Sequence, residues 1–290
     1  VEAWRRVTPW LFTDELQFTQ LARSIAATGH PARRGQSYSA GSIYSYVTAP
    51  FWRIDDVAKA YDAIKYFDVL VMTSVVFPTY FLARLLVGRK AALLAAAGAA
   101  VLPSLAYSSY IVDETFAYPW AALCFFLIAK ALVTRTRWWW TGAVVASAFA
   151  PAVRGELAVI PAAVVLALIF AWWSSDGARA WRTTWSTGDW VGLVVLVFGA
   201  IFVITSIGSH HSNAWQTVTR AYKHREIIMA DWAAGALAIG MGVVPFVAGL
   251  AALFRAPGEE RSKEVRMFRC VSLAGIIVFA KPRIGAWIVT

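Results

Sequence analysis

The sequence has little charge, and this narrows the class of protein. Only 15% of its 290 residues are charged, whereas 59% are hydrophobic and the mean hydropathy is +0.57. A soluble domain carries more charge and does not collect its apolar residues in long blocks. We therefore exclude an ordinary soluble protein. The composition predicts an all-α, multi-pass bundle of transmembrane helices located in the cell membrane.

Cysteines are also scarce. The chain has two, Cys124 and Cys270, and both lie in or beside apolar segments, which gives neither a disulfide framework nor a metal-ligand spacing. The formal net charge of +10 would suit nucleic-acid binding, but the basic residues are spread through short loops between apolar blocks. Loop orientation and contact with anionic membrane lipid explain them better, so we predict no nucleic-acid partner.

The N-terminal part contains two predicted surface helices. Residues 1–10 have no apolar h-region, so we do not expect a signal peptide there. From Asp14 the apolar residues follow helical spacing, and Gly29 and Pro31 are placed to end that helix. Residues 30–53 are rich in Gly, Ser, Tyr and Pro, which predicts an ordered loop. A second amphipathic helix is predicted from Asp55 to Tyr66.

The remaining chain is built of apolar blocks. Those of about 17 to 25 residues are long enough to span a bilayer. We predict seven spans and a partial eighth. The blocks lie at 67–87, 91–112, 116–133, 138–153, 157–174, 190–208, 232–254 and 270–280. The predicted domains are therefore an outer loop with two juxtamembrane helices, residues 1–66, and a transmembrane bundle, residues 67–290.

The cations predict the orientation. Alternate loops hold clusters of Arg and Lys, and such loops face the cytoplasm. Residues 1–66, the turns at 109–115 and 153–156, and the loop 209–231 are then expected on the outer side.

Three stretches resemble one enzyme superfamily. Asp14-Glu15 opens a surface helix, and a Gly- and Tyr-rich loop leads into residues 60–67 (AYDAIKYF) and a span that ends at residues 78–84 (PTYFLAR). Residues 110–119 (YIVDETFAYP) and 152–157 (AVRGEL) follow. Together they resemble the GT-C glycosyltransferases, which include protein O-mannosyltransferase and aminoarabinose transferase relatives. The superfamily normally has a span before the Asp-Glu loop and continues past the last apolar block, so we expect this chain to be truncated.

The resemblance implies transfer of a sugar from a polyprenyl-phosphate carrier to a glycan, lipid or protein acceptor at the outer face, with the motif's aspartate as base. A carboxylate within reach of a hydroxyl contributes roughly a hundred- to ten-thousandfold as general base, and Asp14 and Glu15 are the catalytic candidates. Cations would stabilise the departing phosphate. The candidate substrate-binding residues are Asp113, Glu114, Arg154, Lys65, Tyr44, Tyr46, Arg33 and Arg34.

Each candidate has a structural alternative. Asp14 with Gln17 could form a capping box, and Asp113 and Glu114 could serve the first turn of a helix. Arg154 and Glu156 could form a surface ion pair. We predict no metal-binding residues, since adjacent His210 and His211 do not readily share one ion. No cofactor is required by the sequence, although a divalent cation would suit the paired carboxylates.

Two other function classes remain open. A secondary transporter or flippase of a lipid-linked or small anionic substrate would place charges at mid-depth in broken helices, often in paired inverted halves. Here the acids lie at span ends and the two halves do not match. A non-catalytic membrane scaffold with the glycosyltransferase shape is the third alternative.

Overall fold

The computed structural model of the chain describes residue 3 and residues 13–38, 40, 42–102, 105, 108–174 and 262–288. This part of the chain is mostly helical. Its elements are α1 (Thr13–Thr28), β1 (Ala32–Arg33), β2 (Gln36–Ser37), α2 (Tyr44–Thr48), a 3-10 helix (Ala49–Arg53), α3 (Val57–Thr73), α4 (Val76–Leu86), α5 (Arg89–Ala99), α6 (Glu114–Thr134), α7 (Arg137–Val153), a second 3-10 helix (Gly155–Val159), α8 (Ile160–Ser174) and α9 (Ser262–Ile288).

Helix α1 confirms the predicted surface helix. It ends at Thr28, and Gly29 follows with a φ of 79°, a left-handed conformation that glycine adopts without strain. The strands β1 and β2 then pair antiparallel around a turn at Arg34 and Gly35. The sequence predicted a loop throughout 30–53, but residues 44–53 are helical. Pro50 fits there because it occupies the first turn of the 3-10 helix, where no N–H is needed.

The predicted juxtamembrane helix at 55–66 is wrong as a separate element. Asp56 caps α3 by accepting hydrogen bonds from the backbone N–H groups of Ala58 (2.9 Å) and Lys59 (3.3 Å). The helix then continues to Thr73, across the predicted boundary at residue 66. No Gly or Pro interrupts the sequence between Val57 and Phe77, so nothing ends the helix where its amphipathic pattern fades.

The next apolar block forms a shorter helix than predicted. The sequence predicted a span over 91–112, but α5 ends at Ala99. Pro103 follows closely, and the residue before a proline is disfavoured in a helix.

Helices α6 and α7 form an antiparallel hairpin and confirm the predicted blocks at 116–133 and 138–153. Their connection is short, and Arg135 in it has a φ of 54°. Helix α9 packs against α8 and α6 and extends beyond the predicted partial span at 270–280. The core between these helices includes Ile128, Leu132, Val144, Val164 and Val271.

Two helical stretches of the described part are long and apolar enough to cross a membrane: Val57–Leu86, which comprises α3 and α4, and Glu114–Thr134, which is α6. Large apolar side chains on the outer surface of the packed helices suit contact with lipid, since Leu70 is 71% exposed and Leu94 is 74% exposed. The predicted spans at 190–208 and 232–254, and the loop 209–231 with His210 and His211, lie outside the described residues.

A pair of glycines tests the packing of α9 against α6. A Cβ at Gly275 would lie 3.0 Å from the ring of Phe125, whereas a Cβ at Gly142 would lie 3.8 Å from Leu127, an ordinary contact. Both substitutions improve helix propensity similarly, but only Gly275→Ala creates a steric conflict. We expect Gly275→Ala to have a lower melting temperature in detergent than Gly142→Ala. Equal temperatures would contradict this packing.

Candidate functional site

Arg154 lies at the centre of an ion-pair cluster at one end of the packed helices. Its Nη1 lies 3.1 Å from Asp113 Oδ1 and pairs also with Glu114, and its Nε donates to Glu156 Oε2 at 2.8 Å. These side chains lie close together because α6 begins at Glu114 and its antiparallel neighbour α7 ends at Val153. We call Arg154, Asp113, Glu114 and Glu156 the Arg154 cluster. The predicted ion pair of Arg154 with Glu156 is confirmed.

Burial sets the electrostatics of this cluster. It raises the pKa of Asp113 to about 7, because desolvation and repulsion from Glu114 and Glu156 outweigh the attraction of Arg154. Burial alone would lower the pKa of Arg154, but the three carboxylates outweigh it and the pKa rises. Arg154 is therefore always charged, while Asp113 exchanges its proton near neutral pH.

Asp113 does not act as a helix cap. It occupies the N-cap position of α6, yet its side chain makes no capping hydrogen bond and bonds to Arg154 instead. Asp113 therefore makes no capping hydrogen bond, although its position at the start of α6 is one where the helix dipole favours an acid. Glu114 does lie in the first turn of α6, where the helix dipole favours an acid.

Glu15 joins the start of α1 to this end of the helices. Its side chain is fully buried and accepts hydrogen bonds from the Tyr61 hydroxyl and the backbone N–H of Ile111, both at 3.2 Å. Ile111 lies two residues before Asp113, so these bonds hold the N-terminal turn of α1 near the Arg154 cluster. Neighbouring Asp14 is exposed.

The capping-box alternative for Asp14 is not seen. Asp14 is the second residue of α1, within its first turn, and the partner required of such a box, Gln17, accepts a hydrogen bond from Arg33 Nη1 at 3.1 Å. Within the described residues no hydrogen bond or ion pair engages the Asp14 carboxylate. A carboxylate held on a fixed helix and open to solvent is available to an incoming hydroxyl.

Tyr44 lies beneath the site rather than in it. The side chain is fully buried, and its hydroxyl donates to Asp68 Oδ2 at 2.5 Å. The Thr115 hydroxyl lies 3.5 Å from the other oxygen of Asp68. Burial, followed by the nearby charge of Asp68, raises the pKa of Tyr44 well above its usual value, and the charges of Asp113 and Glu15 act in the same direction. The Tyr44 hydroxyl thus lies close to Asp68, Asp113 and Glu15.

The remaining predicted residues are not gathered around Arg154. Lys65 is buried, with its Nζ 2.7 Å from Asp62 Oδ1 and 3.0 Å from the carbonyl of Ala3. A phosphate could reach this nitrogen only if those bonds broke. Tyr46 is 48% exposed, and Arg34 is exposed in the hairpin turn. Arg33 stands over the ring of Tyr38 as well as bonding to α1.

Sequence reasoning missed Asp68 and Tyr61. Both lie on the buried stripe of α3, seven residues apart, and therefore on one face of the helix. Asp68 is an acid inside an apolar block, which is itself a signal of a functional or networked residue.

Metal coordination finds no support in the described part of the chain. Within it, no three His, Cys, Asp or Glu side chains are grouped to hold a metal ion. The acids that do gather share their oxygens with Arg154.

The raised pKa of Asp113 predicts a pH dependence of stability. The unfolded chain releases this proton near its ordinary value of 3.8, whereas the folded chain retains it to about 7. The folded state therefore binds the extra proton in this window, and the contribution of Asp113 to stability falls as the pH rises through it. Asp113→Asn should flatten the slope of melting temperature against pH between about 4 and 7.

A matched control is Asp56→Asn. Asp56 is exposed, and an asparagine at this position can still cap α3. Its slope in the same pH window should equal that of the wild type. An unchanged slope in Asp113→Asn would contradict the titration assigned to Asp113.

Comparison with known proteins gives a family. The family described as dolichyl-phosphate-mannose-protein mannosyltransferase matches residues 43–204, a segment that contains the Arg154 cluster and begins after Asp14 and Glu15. No curated protein and no solved structure gave a match. Among the three function classes left open by the sequence, the family supports the glycosyltransferase. Because the match covers more than half of its 290 residues, the chain belongs to the dolichyl-phosphate-mannose-protein mannosyltransferase family and is a membrane glycosyltransferase of the GT-C type.

Proposed function

We propose that this enzyme moves a sugar from a polyprenyl-phosphate carrier to an acceptor hydroxyl at the outer face of the membrane. The observation that carries the proposal is the half-buried Arg154 at the end of the packed helices where the bond of Glu15 to Ile111 also anchors the start of α1. A cation for the departing phosphate and a carboxylate for the acceptor are the two charges that the reaction needs.

Arg154 would bind the phosphate of the carrier. Its guanidinium presents several N–H donors in one plane, so a phosphate can take the place of an exposed partner while a buried partner remains. Glu156 is the most exposed of the three acids and Asp113 the least, with side chains 51% and 13% exposed. The incoming phosphate would therefore displace Glu156, and Asp113 would keep the arginine in place.

Asp14 would be the general base. Its carboxylate is exposed, and it precedes Glu15, whose bonds to Tyr61 and Ile111 fix the helix. Successive residues of a helix point about 100° apart, so Asp14 and Glu15 would have different roles. Asp14 would take the proton of the acceptor as the new glycosidic bond forms, and Glu15 would position it.

The charge distribution supports an outer location and a multi-pass arrangement. The far ends of the packed helices, together with the connection at Arg135, carry the cations Arg84, Arg89, Lys90, Arg135 and Arg137. Positive loops remain on the cytoplasmic side. The Arg154 cluster would then open at the outer face, where Arg33, Arg34 and Tyr46 are further candidates for substrate contact.

The family's description names mannose on dolichyl phosphate as donor and protein as acceptor, which supports this class of carrier. For this chain we propose a donor of that chemistry, with a protein, glycan or lipid hydroxyl as acceptor. The test is sugar transfer in vesicles that contain the full chain, with the same sugar offered on a polyprenyl phosphate or on a nucleotide. Transfer from the lipid-linked sugar alone is expected, and transfer from the nucleotide sugar alone would overturn the donor assignment.

A further inference from the structure

A second basic surface lies on α1, away from the Arg154 cluster. The last turns of α1 and the 3-10 helix Ala49–Arg53 enclose an open groove of about 620 Å³, whose lining includes Arg23, Ala27, Trp52, Arg53 and Asp55. Arg23 is nine residues after Asp14, or about 13 Å along the helix. The groove is therefore separate from the candidate base, although both lie on the same helix.

Among the described residues, the two arginines of the groove have no acidic partner. In contrast to Arg154, neither Arg23 nor Arg53 has a carboxylate within ion-pair distance in the part of the chain that the structure describes. Asp55 contributes one negative charge to the lining, which leaves the groove with a net charge of +1. Two unpaired guanidinium groups on one small concave surface favour an anionic ligand.

Trp52 arranges this surface for a ligand. The Arg23 guanidinium stacks on its ring, with Cζ 5.7 Å from the ring centroid. Stacking orients the guanidinium plane and leaves its N–H edges free to donate.

We propose that this groove binds a phosphate group, either of an anionic phospholipid headgroup or as free phosphate. Phosphate offers several acceptor oxygens to the fork of an arginine. The groove volume suits a small polar group rather than a folded partner. Arg23 and Arg53 supply the donors, and the groove acts independently of sugar transfer.

A thiol at Ala27 reports on this groove. Ala27 is an exposed lining residue, whereas the native Cys124 and Cys270 are buried. In the Ala27→Cys chain in detergent, the rate of reaction with an anionic thiosulfonate is measured alone, with inorganic phosphate, and with a short-chain phosphatidylglycerol. Short-chain phosphatidylcholine, which has a phosphate but no net charge, is the matched lipid control.

The expected result is a rate at least about tenfold lower with bound ligand, and loss of this protection in Arg23→Gln/Arg53→Gln. Protection by both phosphatidylglycerol and phosphate identifies the phosphate group as sufficient, and protection by phosphatidylglycerol alone identifies a headgroup site. Protection by neither, or equal protection in the double variant, would overturn the proposal. The variant Arg89→Gln/Lys90→Gln removes the same charge at the opposite end of the helices and should retain protection. The readout needs no sugar transfer, so its failure would not touch the proposed activity.

Discussion

Replacing Arg154 with Gln is expected to lower kcat/KM for sugar transfer by roughly a thousandfold. One charge-assisted bond to the carrier phosphate is worth about 1.5–3 kcal/mol. Loss of one donor to developing negative charge costs roughly a hundred- to a thousandfold in kcat. Arg154→Lys should retain part of the activity, because it keeps the charge and loses the planar fork. The measurement is initial rate against donor concentration.

A folding defect must be separated from this loss. Arg154→Gln leaves three carboxylates without their cation, and the double variant Arg154→Gln/Asp113→Asn also removes the charge of the most buried one. We expect the double variant to melt near the wild-type temperature and remain inactive. Arg137→Gln, at the exposed other end of α7, is the matched control and should be fully active. A folded and active Arg154→Gln would remove Arg154 from the site.

Replacing Asp14 with Asn should lower kcat by about a hundredfold or more, the effect of losing a general base. The side chain is exposed and unbonded within the described residues, so the melting temperature should hardly change. The KM for the donor should also remain unchanged, because the phosphate is bound by Arg154 and not by Asp14. Single-turnover kinetics measures the rate of sugar transfer. A melting curve of the same sample measures the melting temperature.

Two variants sharpen this test. Glu15→Ala removes the oxygen that accepts hydrogen bonds from the Tyr61 hydroxyl and the Ile111 N–H, so its melting temperature should fall. Asp56→Asn changes another exposed acid of the same segment and should leave kcat unchanged. If Asp14→Asn turned over at the wild-type rate, its place in the first turn of α1 would be its only role.

The long helices were predictable from local properties, and their ends were not. The apolar blocks at 116–133 and 138–153 predicted α6 and α7 within a few residues, because length and hydropathy are local properties. The predicted end of the second amphipathic helix at residue 66 was wrong, since a helix can continue after its amphipathic face disappears. The helicity of residues 44–53 also escaped prediction because it depends on burial of Tyr44 and Ala49 against neighbouring elements.

The Arg154 cluster was predictable only where a motif marked it. Asp113 and Arg154 are 41 residues apart, and residue spacing alone does not pair them; the resemblance of their flanking segments indicated both. The buried bonds of Tyr44 to Asp68 and of Glu15 to Ile111 were not predicted, because they depend on how α1, α2, α3 and the turn before α6 pack. Lys65 illustrates the converse, since a lysine in a motif proved to be buried against Asp62.

Donor affinity measured apart from turnover tests the central claim most directly, namely that Arg154 binds the carrier phosphate while Asp14 serves the acceptor. The dissociation constant of a polyprenyl-phosphate-linked sugar would be measured for the wild type, Asp14→Asn and Arg154→Gln/Asp113→Asn in the absence of acceptor. We predict an unchanged constant for Asp14→Asn and one raised by at least about tenfold, or 1.4 kcal/mol, for the double variant. Weakened binding in Asp14→Asn together with unchanged binding in the double variant would contradict this division of roles.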